Sequence, residues 1–387
     1  MTAGAAPRST MRPASEVELR RLNDTFAELC AIPSPFGHER AIADRVAQEL
    51  RSLGLEVEED DAVEEVGGDT GNLLARLPGR GERSVLLCAH LDTVPHDGPI
   101  EPVLVDGAWE SAGDTILGAD NKATVAVLLA LAHRAAVEGV PIGVELLFTV
   151  SEENGLLGAK AFDVSRLRSE LGFVYDHASP IGDIIVGSPT YYRLQATFRG
   201  QAAHAGIRPE DGRSAIVAAA KAIGAMRLGR LQDDTTANVG NIHGGADGTN
   251  IVPDRCTFNA EARSLSEATA DVVVSEMVDC CYDAANDPAC DVDVDVSVER
   301  LFRGYRHKPS APTVVAAEAA LRACGYTPRR VNTGGASDAN AFVAAGLLCT
   351  NLANGTQHNH EPSERVSQAS LQGMLDVTFA LLEELSG

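Results

Sequence analysis

Between Ser84 and Val150 the chain runs through an apolar segment, SVLLCAH, then a stretch with helical apolar spacing, NKATVAVLLALAHRAAVEGV, then a second apolar segment, GVELLFTV. Strands alternating with helices imply an α/β sheet, and few other architectures accept this order. LEVEED and NLLARL add earlier strands, and two helices over 15–32 and 38–53, separated by the loop residues IPSPFG, open the fold. After DIIVGSP the pattern changes to strand, helix, strand, strand, helix, strand: YYRLQATFRGQ, GRSAIVAAAKAIGAMRLG, TANVGNIHGG, CTFNAEARS, ATADVVVSEMVDCCYDAA and DVDVDVSVE. That is enough for a small α+β domain with its own antiparallel sheet. The α/β character then resumes with TVVAAEAALRACG, ASDANAFVAAG and a helix from 367. The expected architecture is α/β: a discontinuous mixed-sheet domain over 15–189 and 303–387 with helices on both faces, interrupted by a smaller α+β domain over 190–302. Residues 1–14, polar and rich in small residues, are expected to be a disordered tail, with Met11 an alternative start.

Composition narrows the class of function. The 387 residues carry 55 acidic and 32 basic side chains, a formal charge of -23, so the surface should repel phosphate backbones and anionic membranes. Nucleic acid is an improbable partner. No signal-peptide core is present, and no run of about 18 apolar residues marks a membrane span. The 8 cysteines, at 30, 88, 256, 280, 281, 290, 324 and 349, form no C-x-x-C pair, so neither a zinc ribbon nor a disulfide framework is indicated. A reducing cytoplasm fits them.

Active sites in open α/β sheets lie beyond the carboxyl ends of the strands, and several candidate ligands fall there. VLLCAHLDTVP ends a strand with His90 and Asp92, an imidazole with a carboxylate placed to orient it. Asp120 precedes the long helix in ILGADNKATVAVLL, where taken alone it would be read as an N-cap. Glu152 and Glu153 follow the next strand in LLFTVSEENG, Asp176 follows another in VYDHASPIG, and GTQHNHEPSE supplies His358 and His360. Adjacent carboxylates at the rim of a core repel one another unless something positive sits nearby. Two divalent cations would bring four positive charges, and Asp120, Glu153 and Asp176 with one hydroxide would balance them, with neutral His90 and His360 completing the shells. Paired metals about 3.5–4 Å apart need a bridging carboxylate, and Asp120 is the natural bridge. Glu152, pointing elsewhere than Glu153, would act as general base toward the attacking water and return the proton to the leaving amine.

The set HLDTVP, TILGADNKATVAVLLAL, FTVSEENGLLGAKAF and HEPSERVS, in that order, resembles the dizinc exopeptidases and amidohydrolases that include peptidase T, glutamate carboxypeptidases and acetylornithine deacetylase. The resemblance covers nearly the whole chain from about residue 20 and is closest to the peptidase T branch. It implies His90, Asp120, Glu153, Asp176 and His360 as zinc ligands, Asp92 as their orienter and Glu152 as base. It also implies that the inserted domain is a lid that pairs two subunits, with His204 of GQAAHAG reaching the partner's site. Asn250 of GTNIVPD, Arg263 of EARS, and Gly334 and Gly335 of NTGGASDAN match family positions near the substrate, although Arg263 could equally be a structural ion-pair partner. Asn121 stands where the peptidase branch usually has Asp, and His177 where it has a small residue. Of the two neighbouring histidines, His360 rather than His358 keeps the family's spacing to Glu364. His96 reads as a loop residue.

In that family an Asp at position 176 accompanies aminopeptidases and dipeptidases. The leading expectation is therefore a cytoplasmic dizinc aminopeptidase, working through metal-bound hydroxide on short peptides such as tripeptides, with cobalt or manganese as other possible metals. An N-acyl amino acid deacylase or a carboxypeptidase of the same family is the alternative. A non-catalytic metal- or peptide-binding protein is a third reading from another class, against which stands the completeness of the ligand set and base.

Overall fold

The computed structural model of the protein describes residues 12–245 and 248–387. The chain divides into two units, one comprising the residues up to Val186 with His307–Asn332 and Ser337–Gly387, the other Gly187–Arg306 with Thr333–Ala336. The second unit is wider than the expected 190–302 insertion because Gly187 and Ser188 pair antiparallel with Arg306 and Tyr305. It also takes in the Gly334–Gly335 loop, whose carbonyls accept hydrogen bonds from Arg263 and Ser188.

The first unit is built on a mixed sheet in the order Val57–Glu59, Leu73–Leu77, Gly143–Thr149, Ser84–His90, Leu171–Tyr175, Leu348–Leu352 and Asp183–Ser188. The central four, Gly143–Thr149, Ser84–His90, Leu171–Tyr175 and Leu348–Leu352, are parallel; the strands beyond them run antiparallel. Side chains alternate between faces along each strand. Val85, Leu87 and Ala89 join Val144, Leu146 and Phe148 in one core with the helices Glu16–Cys30, Arg40–Ser52, Ala119–Glu138, Pro312–Ala323 and Gln368–Ser386. Cys88 points the other way, its Sγ 3.8 Å from Asp338 at the start of the helix Asp338–Ala344. Helices thus cover both faces, as expected.

Several short strands escaped the sequence reading. Pro102–Val105 and Ala108–Ser111 form a hairpin that joins Arg365–Ser367 and Thr356–Gln357 in a separate four-stranded sheet, and Leu348–Leu352 enters the main sheet from far along the chain. The hairpin's strands are too short and too exposed to show an apolar pattern.

The second unit is a five-stranded antiparallel sheet in the order Gly229–Gln232, Thr235–Gly244, Arg255–Ser264, Thr190–Arg199 and Asp293–Phe302. The helices Ala215–Ala225 and Glu267–Asn286 pack on it around a core of its own that includes Leu194, Phe198, Phe258 and Met277.

The expected disordered tail lies outside the described residues as far as Met11, including the alternative start there. Residues 12–14 are held in place. Arg12 pairs with Glu18 at 2.6 Å and Glu138 at 2.7 Å, and Ala14 N–H donates to Asp376 at 3.0 Å. Arg134, on the long helix, donates to both oxygens of Glu18 at 2.7 and 2.9 Å and lies 3.6 Å from the centroid of the Phe379 ring. Burial works against the charge on Glu18, but hydrogen bonds from Arg134, Arg12 and Ser15 outweigh it and hold its carboxyl well below the usual range. A depressed carboxyl contributes stability that is present above its unfolded pKa and lost as pH falls through the folded one. Glu18→Gln should therefore lower unfolding stability by about 3 kcal/mol at pH 7, the low end for a broken buried pair. The loss should shrink as a urea melt is repeated toward pH 3.

Candidate active site

The four parallel strands end side by side, and each hands the chain to a loop bearing an acid or a histidine. His90 closes Ser84–His90 and is 1% exposed. Its Nδ1 faces the Asp92 carbonyl at 3.0 Å and Asp92 Oδ1 at 3.4 Å, which fixes Nδ1 as the donor and turns Nε2 inward. Nε2 then lies 3.4 Å from Asp120 Oδ1 and 3.7 Å from Asp176 Oδ1. On the other side of Asp120, Oδ2 lies 3.4 Å from His360 Nε2, which is itself 2.7 Å from Glu153 Oε1. One carboxylate thus turns an oxygen toward each of two histidines.

Asp92 organises the opposite wall. Fully buried, it accepts Glu152 N–H on Oδ1 and Glu153 N–H on Oδ2, both at 2.9 Å. The same carboxylate therefore orients His90 and sets where both glutamates start. Glu39, also buried, accepts the N–H of Ser151 at 3.0 Å and its hydroxyl at 3.1 Å, steadying a residue with a φ of 51° just before them. Glu152, 8% exposed, offers an oxygen to the group formed with His90 and Asp176, while Asp120 and Glu153 form a second group with His90; in each group the ligand atoms lie within 4.8 Å of one another.

Charge in this space is heavily one-sided. Among the described residues, the ion-pair partners of Asp120, Glu153 and Asp176 are His90 and His360 alone. Burial, then the nearby charge of Asp120, pushes the Asp176 carboxyl up to about 8. Burial and the Asp176 charge carry Glu152 well above the usual carboxylate range, and burial raises Glu153 despite His360 beside it. Asp120 goes the other way: burial opposes its charge, but His360 and His90 hold its carboxyl far below the usual range. The carboxylates of Asp120 and Glu153 push His360 up to about 10. Such a site concentrates negative charge that only protons or cations can offset. Asp120 Oδ1 is moreover buried without a hydrogen bond, which fits an oxygen built for a cation.

The remaining sequence candidates fall as follows. His358 is exposed and 3.8 Å from Glu361, apart from the cluster that His360 joins. His177 turns to the Ser179 hydroxyl at 2.9 Å, and His96 faces the Gly98 carbonyl in a loop. In the second unit, His204 is exposed, its Nδ1 accepting Gly206 N–H at 3.2 Å; the Asn250 carbonyl accepts Ala205 N–H at 2.9 Å, tying those two candidates together. Arg263 donates to both oxygens of Glu261 at 3.0 Å and to the Gly334 carbonyl at 3.1 Å, and stacks over Tyr191.

Sequence reasoning passed over several residues that shape the site. Asn359 donates to Asp120 Oδ2 at 2.8 Å from between the two histidines. Asn351 braces the Asp176 backbone through both ends of its amide, at 2.9 Å each. Asp338 accepts from Thr149 Oγ1 at 2.5 Å, and burial pushes it up to about 6. The bare Asn of QHNHEP gives no periodic or charge signal; only its place between two histidines could have drawn attention.

Comparison with known proteins shows the family. Residues 189–287 match a peptidase dimerisation domain of the M20 kind, and residues 72–176 match peptidase family M28. The Bacillus subtilis protein YqjE is 35% identical over 370 residues, spanning 95% of this chain and 99% of that one. The crystal structure of aminopeptidase PepT from Bacillus cereus is 35% identical, with a TM-score of 0.86 over 95% of this chain and 99% of that one. The chain belongs to the M20 peptidase family. A tripeptidase from Staphylococcus aureus is 32% identical, with a TM-score of 0.90 over 95% of this chain and 98% of its own. As an M20 peptidase the protein is a hydrolase of a metal-dependent family, and its acid–histidine cluster is a candidate metal-ligand group. Among the described residues no helix is long and apolar enough to cross a membrane.

Cobalt added to the chelator-treated M20 peptidase should raise its unfolding midpoint, because an ion that binds only the folded state stabilises it by about 2.7 kcal/mol at 100 times Kd. Asp120→Ala should remove most of that rise in a thermal melt.

Proposed function

We propose that the protein is a dinuclear-metal aminopeptidase that removes the N-terminal residue from short peptides such as tripeptides. The observation that carries this is Asp120, with one oxygen toward His90 and the other toward His360, flanked by Asp176 and Glu153. His90 and Asp176 would hold one ion, His360 and Glu153 the other, and Asp120 would bridge them. The nitrogen and oxygen donor set suits zinc and also admits cobalt or manganese. When bound, the pair would activate water and polarise the scissile carbonyl.

The chain's own residues then do the rest. Glu152 lies within the His90–Asp176 group with its backbone locked by Asp92, so its carboxylate is held where it can take the attacking water's proton and give it to the leaving amine. Asp92, turned to both His90 and the two glutamates, keeps imidazole and base in fixed relation. In the second unit, the match to a peptidase dimerisation domain supports a homodimer, in which His204 would reach the partner's site and steady the developing oxyanion. Glu261 and Gly334 occupy three of the five N–H groups of Arg263, leaving two for the substrate beside Gly334 and Gly335, while Asn250, tied to the His204 loop through Ala205, would act with that histidine. Eight free cysteines support a reducing cytoplasm as its location.

Likeness to the aminopeptidase PepT of Bacillus cereus supports the aminopeptidase reading over the deacylase or carboxypeptidase one. The test is hydrolysis of a free tripeptide beside its N-acetylated twin, with a chelator control. Chelator-sensitive cleavage of the free peptide alone is expected; preference for the acetylated twin would transfer the protein to the deacylase or carboxypeptidase reading. Glu152→Gln should lower kcat by about 10²–10⁴-fold while bound metal, read by elemental analysis, stays unchanged.

A further inference from the structure

The loops bearing Asp120 and His360 come from distant parts of the chain, yet a single side chain joins them. Glu364, 1% exposed, accepts Leu117 N–H at 2.9 Å and Gly118 N–H at 2.7 Å on Oε2, and Asp120 N–H at 2.9 Å on Oε1. Its own N–H donates to the Glu361 carbonyl at 3.0 Å, closing a turn that starts directly after His360. Three amides can converge on one carboxylate because Gly118 has a φ of 71°, a left-handed conformation that reverses the chain before Asp120. Lys122, on the helix that follows the turn, does not pair with it: its Nζ donates to the Ile32 carbonyl at 2.7 Å. Backbone amides are thus the hydrogen-bond partners of Glu364 among the described residues.

The geometry points to Glu364 as a positioning residue of the metal centre: its buried carboxylate fixes the Leu117–Asp120 turn against the His360 turn and so sets how Asp120 faces His360. This rests on the reading of Asp120 and His360 as ligands. Glu364 touches neither substrate nor ion and acts through those two. A glutamine there must turn its NH2 toward at least one N–H donor, and an aspartate, one methylene shorter, cannot reach all three amides.

Glu145 provides the comparison for a purely structural role. It is equally buried and accepts Arg168 N–H at 2.9 Å, Ser169 N–H at 2.8 Å and the Ser169 hydroxyl at 2.6 Å, but it lies near the amino end of its strand, away from the site. The experiment uses the full chain, stripped of metal and titrated with Co²⁺, and follows amide hydrogen exchange in the metal-free protein. Glu364→Gln and Glu364→Asp should each weaken Co²⁺ binding about 10–100-fold, the range for losing a group that orients a ligand. Both should speed exchange at Leu117, Gly118 and Asp120, whereas Glu145→Gln should leave Co²⁺ affinity unchanged even if its unfolding midpoint falls as far. Wild-type affinity in both Glu364 variants, or an equal loss in Glu145→Gln, would overturn the assignment. If Glu364→Gln does not fold, Glu364→Asp, which keeps the charge, decides by the same measures. Should the wild type bind no Co²⁺, the dinuclear reading itself fails and exchange judges the clamp: faster exchange at the three amides in Glu364→Asp upholds it, unchanged exchange rejects it.

Discussion

Buried carboxylates that accept backbone amides hold the site together. A carboxylate taken from water is costly unless its oxygens find donors, and here the donors are the N–H groups of the loops that carry the chemistry. Asp92 receives the amides of Glu152 and Glu153, Glu39 that of Ser151, and Glu364 those of Leu117, Gly118 and Asp120. Each pairing satisfies a buried acid and fixes a loop at once. The strands supply a rigid rim; these acids decide how the loops leave it.

The inner acids are treated differently. Asp120, Glu152, Glu153 and Asp176 have few donors, and Asp120 keeps a buried oxygen with none. The outer acids are thus neutralised by hydrogen bonds and the inner ones left short of them. That contrast separates groups that position from groups proposed to bind, although all are largely buried acids of the same two types.

Much of this was legible in the sequence. The strand–helix–strand run through His90 and Glu153 and the change of pattern after Pro189 were visible because apolar periodicity records burial directly. His90, Asp92, Asp120, Glu152, Glu153 and Asp176 stood out because polar residues at strand ends need a reason to be there. Glu364, Glu39, Asn351 and Asn359 did not, since each works through a backbone group or a partner far away in sequence, and no local pattern encodes that. Glu364 was noticed only for its spacing from His360. The strand Leu348–Leu352 was missed for a related reason: a short apolar run after a helix reads as well as its continuation until its neighbours are known.

That strand also bears on how the protein is made. Leu348–Leu352 lies in the interior of the sheet, between Leu171–Tyr175 and Asp183–Ser188, which precede it by well over a hundred residues. During synthesis, strands that end as second neighbours must be kept apart until Leu348–Leu352 leaves the ribosome, while the inserted unit, with its own core, is free to fold meanwhile. The proposed metal centre needs His360, which follows that strand, so it too can form only after this segment has been made.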